Sequence, residues 1–232
     1  MKVAARILVG SQNYSLSGPD SDYDYKLLMV PSFDDLYNYH KVDKHDLPQQ
    51  YDPEHYSVIS VMTFDKNVRA GNVNALEMLF SSEKKFYSSS LADYFFLAMM
   101  RYENGYIRDV WDNFYKTLRG ITMNSIDRYG MTRKAVSRAI YFISLAQYIA
   151  THDFSIRPET WRAYDVVAAA YNIRFENGSL PTKSRIVELL DSAEEFSKKL
   201  CTHKSYYEND EFLKNYMKNF VQEEIFHAIQ KK

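Results

Sequence analysis

Two short runs near the start of the chain carry residue types suited to phosphate and metal chemistry. Gly10-Ser11 follows an apolar segment, and Ser21-Asp22-Tyr23-Asp24 precedes another. Aspartate is depleted in strands, so a pair of carboxylates where a strand begins calls for a reason. Side chains two apart on a strand point to one face. On that reading Asp22 and Asp24 converge, with Lys26, Leu28 and Val30 further along the same face. Neighbouring carboxylates repel unless a cation lies between them. Mg²⁺, or Mn²⁺, suits the position: Mg²⁺ takes a few carboxylates and completes its shell with substrate phosphates. Two such ions stabilise the attacking and leaving oxygens of a phosphoryl-type displacement. Gly10 complements this chemistry, having no Cβ to block a ligand and tolerating unusual dihedrals. The Ser11 hydroxyl and nearby backbone N–H groups can then cradle a phosphate. Either run alone is an ordinary turn or solvated loop; their combination between two apolar strands points to a metal–nucleotide site.

The elements that must hold these residues change in texture near residue 86. Before it, short segments are divided by Gly, Pro and Asp. Val3–Val9 and Tyr23–Val30 read as strands, the second stopped by Pro31. Tyr56–Met62, rich in β-branched residues, reads as a third, and Phe64–Ala70 and Val73–Phe80 read as short helices broken at Gly71-Asn72. After residue 86, long helical patterns dominate: Leu91–Tyr102, Ile107–Leu118, and Arg133–Thr151 with Thr132 as N-cap. Helices over Glu159–Arg174, Lys183–Leu200 and Glu211–Lys231 complete the set. The division predicts two units, residues 1–86 and 87–232.

Composition narrows the class. The chain has 232 residues, 46% of them hydrophobic and 16% aromatic, which describes an ordered globular protein with a sizeable core. With 29 basic against 30 acidic residues, bulk attraction to nucleic acid or a membrane surface is not expected. Cys201 is the only cysteine, which fits a reducing compartment. Met1–Gly10 lacks a secretory core, and the apolar run Tyr94–Met100 is too short to span a bilayer. A soluble cytoplasmic protein without membrane contact is the expectation.

The order strand, Gly-Ser, spacer, Ser-Asp-x-Asp, strand resembles the DNA polymerase beta-like nucleotidyltransferase superfamily. The resemblance extends to the branch of predicted bacterial and phage nucleotidyltransferases that begins Gly-Ser-x-x-Tyr and continues Ser-Asp-Tyr-Asp. Gly10, Ser11 and Tyr14 match the start; Ser21, Asp22, Tyr23 and Asp24 match the acid motif. Gly71–Phe80 is similar to the branch's Asn-Pro-x-x-Leu-Glu-x-Leu-Phe segment, with Val73 for Pro and Glu77 on the glutamate. Gly130–Ile140 is similar to its Gly-Tyr-x-x-Lys-x-x-x-His helix, with Lys134 on the lysine and Arg138 for the histidine. Ile173, Arg174 and Gly178 resemble its Ile-Arg-x-Gly motif.

The resemblance implies an α+β (α/β) fold: a small mixed sheet of nucleotidyltransferase type with flanking helices, followed by a C-terminal helical bundle. It implies that Gly10 and Ser11 hold nucleotide phosphates and that Asp22 and Asp24 bind catalytic metal. A third acid is expected on the neighbouring strand, yet Tyr56–Met62 contains none. Asp52, Glu54 and His55 lie at its entrance; His55 is nearest by spacing, and Glu54 is the better Mg²⁺ ligand because that ion prefers oxygen.

On the long helix Lys134, Arg138 and Tyr141 form a stripe that either faces the triphosphate or is a solvated surface. Tyr14, beside the Gly-Ser turn, is the tyrosine expected near a nucleotide. Arg174 either reaches a phosphate or pairs with Glu176. His203 and His227 have no companions at metal spacing, and Phe212, Tyr216, Phe220 and Phe226 are available for packing or self-association. The expected activity is Mg²⁺-dependent transfer of a nucleotidyl group from a nucleoside triphosphate such as ATP to an acceptor hydroxyl. The acceptor is an RNA or tRNA end, a small molecule or a protein. The alternative is a catalytically impaired fold acting as a nucleotide- or partner-binding module; hydrolysis at the same metal site is a third reading.

Overall fold

The computed structural model describes residues 1–19, 21–201 and 210–230; His203 of the sequence reading lies outside them. The chain is a mixed α+β structure with a four-stranded sheet and predominantly helical elements after it. In order, it runs β1 (Lys2–Val9), β2 (Asp24–Val30), α1 (Phe33–Tyr37), β3 (Tyr56–Ser60), α2 (Val61–Arg69), α3 (Val73–Leu79) and β4 (Lys84–Phe86). Then follow α4 (Ser89–Glu103), α5 (Trp111–Tyr129), α6 (Arg133–Thr151), α7 (Tyr164–Phe175), α8 (Lys183–Leu200) and α9 (Asp210–Gln230).

The sheet order is β3-β2-β1-β4. β1 is antiparallel to β2, from Lys2 opposite Val30 to Val9 opposite Asp24, and antiparallel to β4 through Ala5 opposite Phe86. β2 and β3 run parallel from Tyr25 beside Tyr56 to Met29 beside Ser60. The two central strands carry the apolar runs: Ala4, Ala5, Ile7 and Leu8 on β1 and Leu27–Val30 on β2 are all buried. That is the composition expected of strands covered on both faces.

Among the described residues, most of the buried apolar side chains form one cluster from Ala4 in β1 to Val221 in α9, with Leu8, Leu27 and Met29 of the sheet outside it. α6 is the axis of the helical part, burying eleven positions including Val136, Tyr141, Phe142 and Leu145 against α5, α7 and α8. Its start is fixed by the expected cap, with the Thr132 hydroxyl accepting the Ala135 N–H. α9 packs on α2 and α4, burying Leu213, Met217, Phe220 and Val221, while Phe212 and Phe226 are exposed. No described helix is long and apolar enough to cross a membrane.

Several boundaries differ from the sequence expectation for local reasons. The third strand ends at Ser60, not Met62, because the Ser60 hydroxyl accepts the Thr63 N–H at 3.1 Å and starts α2. Glu159–Arg174 is not one helix: a 3-10 turn at Pro158–Arg162 ends in Ala163, whose extended backbone (ψ 138°) resets the chain before α7. The helix expected at Ile107–Leu118 starts at Trp111, after a 3-10 turn, and runs on to Tyr129. Short elements α1 and β4 had no periodic signal to betray them.

Phe64 is fully buried where the sheet meets the helices, its ring stacked on Phe95 at 5.0 Å. Replacing it with Ala is expected to cost about 3–5 kcal/mol, the usual range for a deleted buried aromatic. Urea unfolding measures this, and a loss below about 1 kcal/mol would contradict the enclosure of the ring.

Candidate functional site

β1 ends in a turn that only a residue tolerant of positive φ adopts easily: Gly10 has φ +80°. A Cβ on Gly10 would lie 3.1 Å from Oδ2 of Asp24, the first residue of β2. The missing side chain is therefore what lets the turn sit against that carboxylate. The chain then winds tightly, with Asn13 N–H on the Gly10 carbonyl at 3.0 Å and Leu16 N–H on the Ser11 carbonyl at 3.0 Å. The Gln12 amide donates to the Ser21 carbonyl at 3.0 Å, and the Ser21 hydroxyl accepts the Gly18 N–H at 2.9 Å. These bonds tie the Gly-Ser turn to the segment that delivers Asp22.

The turn is clamped from below by one residue of α3. Glu77, 5% exposed, accepts the Gly10 N–H on its carboxylate and the Asn13 side-chain amide on its backbone carbonyl. α3 is itself held at both ends. Asn72 caps its start, and the Lys84 ammonium donates to the carbonyls of Leu79 and Ser81 at 3.0 and 2.9 Å beyond its end. Burial, with the Arg162 charge nearby, pushes that ammonium down to about 8. Around Glu77 stand Tyr14, Arg138 and Lys26. Burial raises the Glu77 carboxyl above its ordinary value, while Tyr14, Gly10 N–H, Arg138 and Lys26 pull it down. Lys26 shows the mirror effect: burial lowers its ammonium, against the pull of the Glu77 and Asp24 carboxylates.

Tyr14 lies under the turn rather than over a ligand. Its ring is 2% exposed, stacked on Tyr141 at 4.7 Å and on Trp161 at 6.2 Å. Its hydroxyl faces Glu77 without reaching ordinary hydrogen-bond geometry, and burial followed by that negative charge raises it well above 10. The residue expected near a nucleotide thus supports the turn as part of the core. The stripe on α6 divides in the same way. Tyr141 is fully buried with its hydroxyl on the Trp161 carbonyl, Arg138 is half-buried beside Tyr14 and Glu77, and Lys134 is exposed. Arg174 lies over the ring of Phe175 at 5.3 Å, while Glu176 accepts from Asn172 at 3.0 Å.

The acids sit differently from the sequence picture. β2 begins at Asp24, so Asp22 precedes the strand and the alternation argument does not set its direction. Both carboxylates are exposed. Asp22 shares an open depression of about 460 Å³ with Ser21, Tyr23, Tyr25, His55 and Tyr56. His55 is fixed there because its carbonyl accepts the Tyr25 N–H at 2.8 Å, extending the parallel ladder toward Asp24. Glu54 is exposed and groups with Asp52 and His55, their ligand atoms within 4.8 Å of one another. Among the described residues no other group of three metal-ligating side chains gathers at this spacing, so no third acid joins Asp22 and Asp24. Glu77, matched to the resembling segment and read as capping or pairing a buried polar group, does so here with the Gly10 N–H. Its signal in the sequence was a lone acid in the apolar run Ala75–Phe80.

Glu77 carries a pH signature. A raised folded value means that the folded protein holds the proton more tightly than the unfolded chain. The stabilisation is fully present below 4.5 and is lost as pH rises through the folded value. Glu77→Gln keeps an acceptor for Gly10 and removes this loss. Its stability relative to the wild type is expected to rise with pH from about 4 to about 7, read by urea unfolding across that range. A flat or falling difference would contradict the burial of the charge.

The chain matches no family model, no curated protein and no solved structure, so what this site does must follow from its own residues.

Proposed function

We propose that the protein binds a nucleoside triphosphate with Mg²⁺ or Mn²⁺ at the Gly10–Ser11 turn and transfers its nucleotidyl group to an acceptor hydroxyl. The observation that carries this reading is the approach of the turn to Asp24. The site of a phosphate cradle and the site of a cation-binding carboxylate are adjacent because Gly10 has no Cβ. The residues fit the ion: Asp22 and Asp24 are exposed oxygen donors at the mouth of β2, of the kind Mg²⁺ takes together with phosphates. A divalent cation held there supplies charge stabilisation to the attacking and leaving oxygens of an in-line displacement.

The chain's own groups have separate tasks. The Ser11 hydroxyl and the Ser11 and Gln12 N–H groups, which make no hydrogen bond among the described residues, offer donors to phosphate oxygens. Lys26 and Arg138 supply positive charge beside the turn, and Lys134 stands further out on the same helix. Attack by the acceptor oxygen on the α-phosphorus breaks its bond to the bridging oxygen and releases pyrophosphate. The hydroxyl proton needs a base, and His55, which borders the same depression as Asp22, is better placed for it than Glu54. RNA or tRNA ends, small molecules and proteins all offer such a hydroxyl.

A second reading, a nucleotide- or partner-binding module without catalysis, is favoured by one observation. Among the described residues no third carboxylate joins Asp22 and Asp24. One experiment addresses both. Purified protein is incubated with α-labelled ATP, Mg²⁺ and total RNA, tRNA or protein. Transfer of label by the wild type and its abolition in Asp22→Asn/Asp24→Asn, with an unchanged circular dichroism spectrum, is expected. Label transfer that survives the double substitution overturns the catalytic assignment, and binding without any transfer establishes the second reading in its place.

A further inference from the structure

We infer that Tyr171 and Phe175, at the C-terminal end of α7, form the stacking platform for the base of the nucleotide whose phosphates the Gly10–Ser11 turn holds. The inference rests on the nucleotide reading above and names the part of the ligand that the phosphate turn and the acids leave unrecognised. The two rings are 4.8 Å apart and remain 41% and 39% exposed, unlike the enclosed aromatics of the core. They are joined to the phosphate turn through the loop that follows it. Phe175 Cε1 lies 3.2 Å from where a Cβ of Gly18 would be, so the absence of a side chain at Gly18 admits the ring. Gly18 is bonded to Ser21, and Ser21 to Gln12 beside Ser11. One short hydrogen-bonded loop therefore links the ring pair, the phosphate donors and the segment leading to Asp22.

The platform is held rather than loose. Arg133, in the first turn of α6, donates to the carbonyls of Ile173 and Gly178 at 2.7 and 3.1 Å, pinning the end of α7 on both sides of Phe175. The Arg174 guanidinium lies over the Phe175 ring at 5.3 Å and holds that ring by a cation–π contact on one side. Stacking on aromatic faces tolerates any base, because every base has a π-face. The pair thus fits a nucleobase recognised by its plane, with discrimination between bases left to other groups. The competing surface is the depression beside Asp22, where Tyr23 is 54% exposed and Tyr25 stacks on Tyr56 at 5.3 Å. It meets the same loop at Ser21 but opens toward β3, with His55 and Tyr56 on its far side, and is assigned to the acceptor.

The test separates base from phosphate. Titration calorimetry with the full chain compares Mg²⁺–ATP with Mg²⁺–tripolyphosphate, which has the phosphates and no base. Phe175→Ala is expected to weaken ATP about tenfold or more, the effect of losing one stacked base, and to leave tripolyphosphate unchanged. Phe175→Trp is expected to retain ATP affinity and to show quenching of the new indole by ATP but not by tripolyphosphate. Equal effects of Phe175→Ala on both ligands, no effect on either, or a loss seen only in Tyr23→Ala would overturn the platform while leaving the phosphate site standing. A wild-type protein that binds neither ligand would overturn the nucleotide reading itself and the platform with it.

Discussion

The structure depends on a single buried carboxylate that faces two ways. Glu77 takes the Gly10 N–H on its side chain and the Asn13 amide on its backbone carbonyl, so one residue of α3 fixes both ends of the turn leaving β1. A buried charge is costly unless paired and hydrogen-bonded. Here the compensation comes from three separate elements: Lys26 on β2, Arg138 on α6 and the turn itself. The sheet, the short helices and the long helical part are thereby referred to one point.

Beneath that point the aromatic core does the supporting. Tyr14 stacks on Tyr141, Tyr141 bonds to the Trp161 carbonyl, and Phe142 packs edge-on against both tyrosines. A tyrosine just after the Gly10–Ser11 turn is useful here for its bulk. It braces the loop against α6, so that the loop need not be rigid by itself. The surface above is left to small or polar residues, Ser11 and Gln12, and to the exposed carboxylates.

Much of this was legible in the sequence and some of it was not, for physical reasons that differ from residue to residue. The α6 boundaries were readable because a threonine cap, a regular apolar period and a nineteen-residue length agree. The two central strands were readable because both of their faces are covered and their runs are continuous. The end of β3 was missed because Val61 and Met62 continue the β-branched and apolar texture while Ser60 quietly begins a helix. β4 is three residues long and two of them are lysines, so pairing with β1, more than its own propensity, makes it a strand. At the site, Gly10, Ser11 and the two aspartates announce themselves by type and spacing. The dependence of the turn on Glu77 does not, because 67 residues separate the partners and nothing local relates them.

The mixed sheet also has a temporal side. β1 lies between β2 and β4, and β4 is contributed only at residue 84, so the central strand stays half-paired until the intervening segments have been laid down. The apolar faces of α2 and α4 wait longer still, for Leu213, Met217, Phe220 and Val221 of α9. A growing chain therefore exposes an open strand edge until β4 is made at residues 84–86, and an uncovered helical seam until α9 follows.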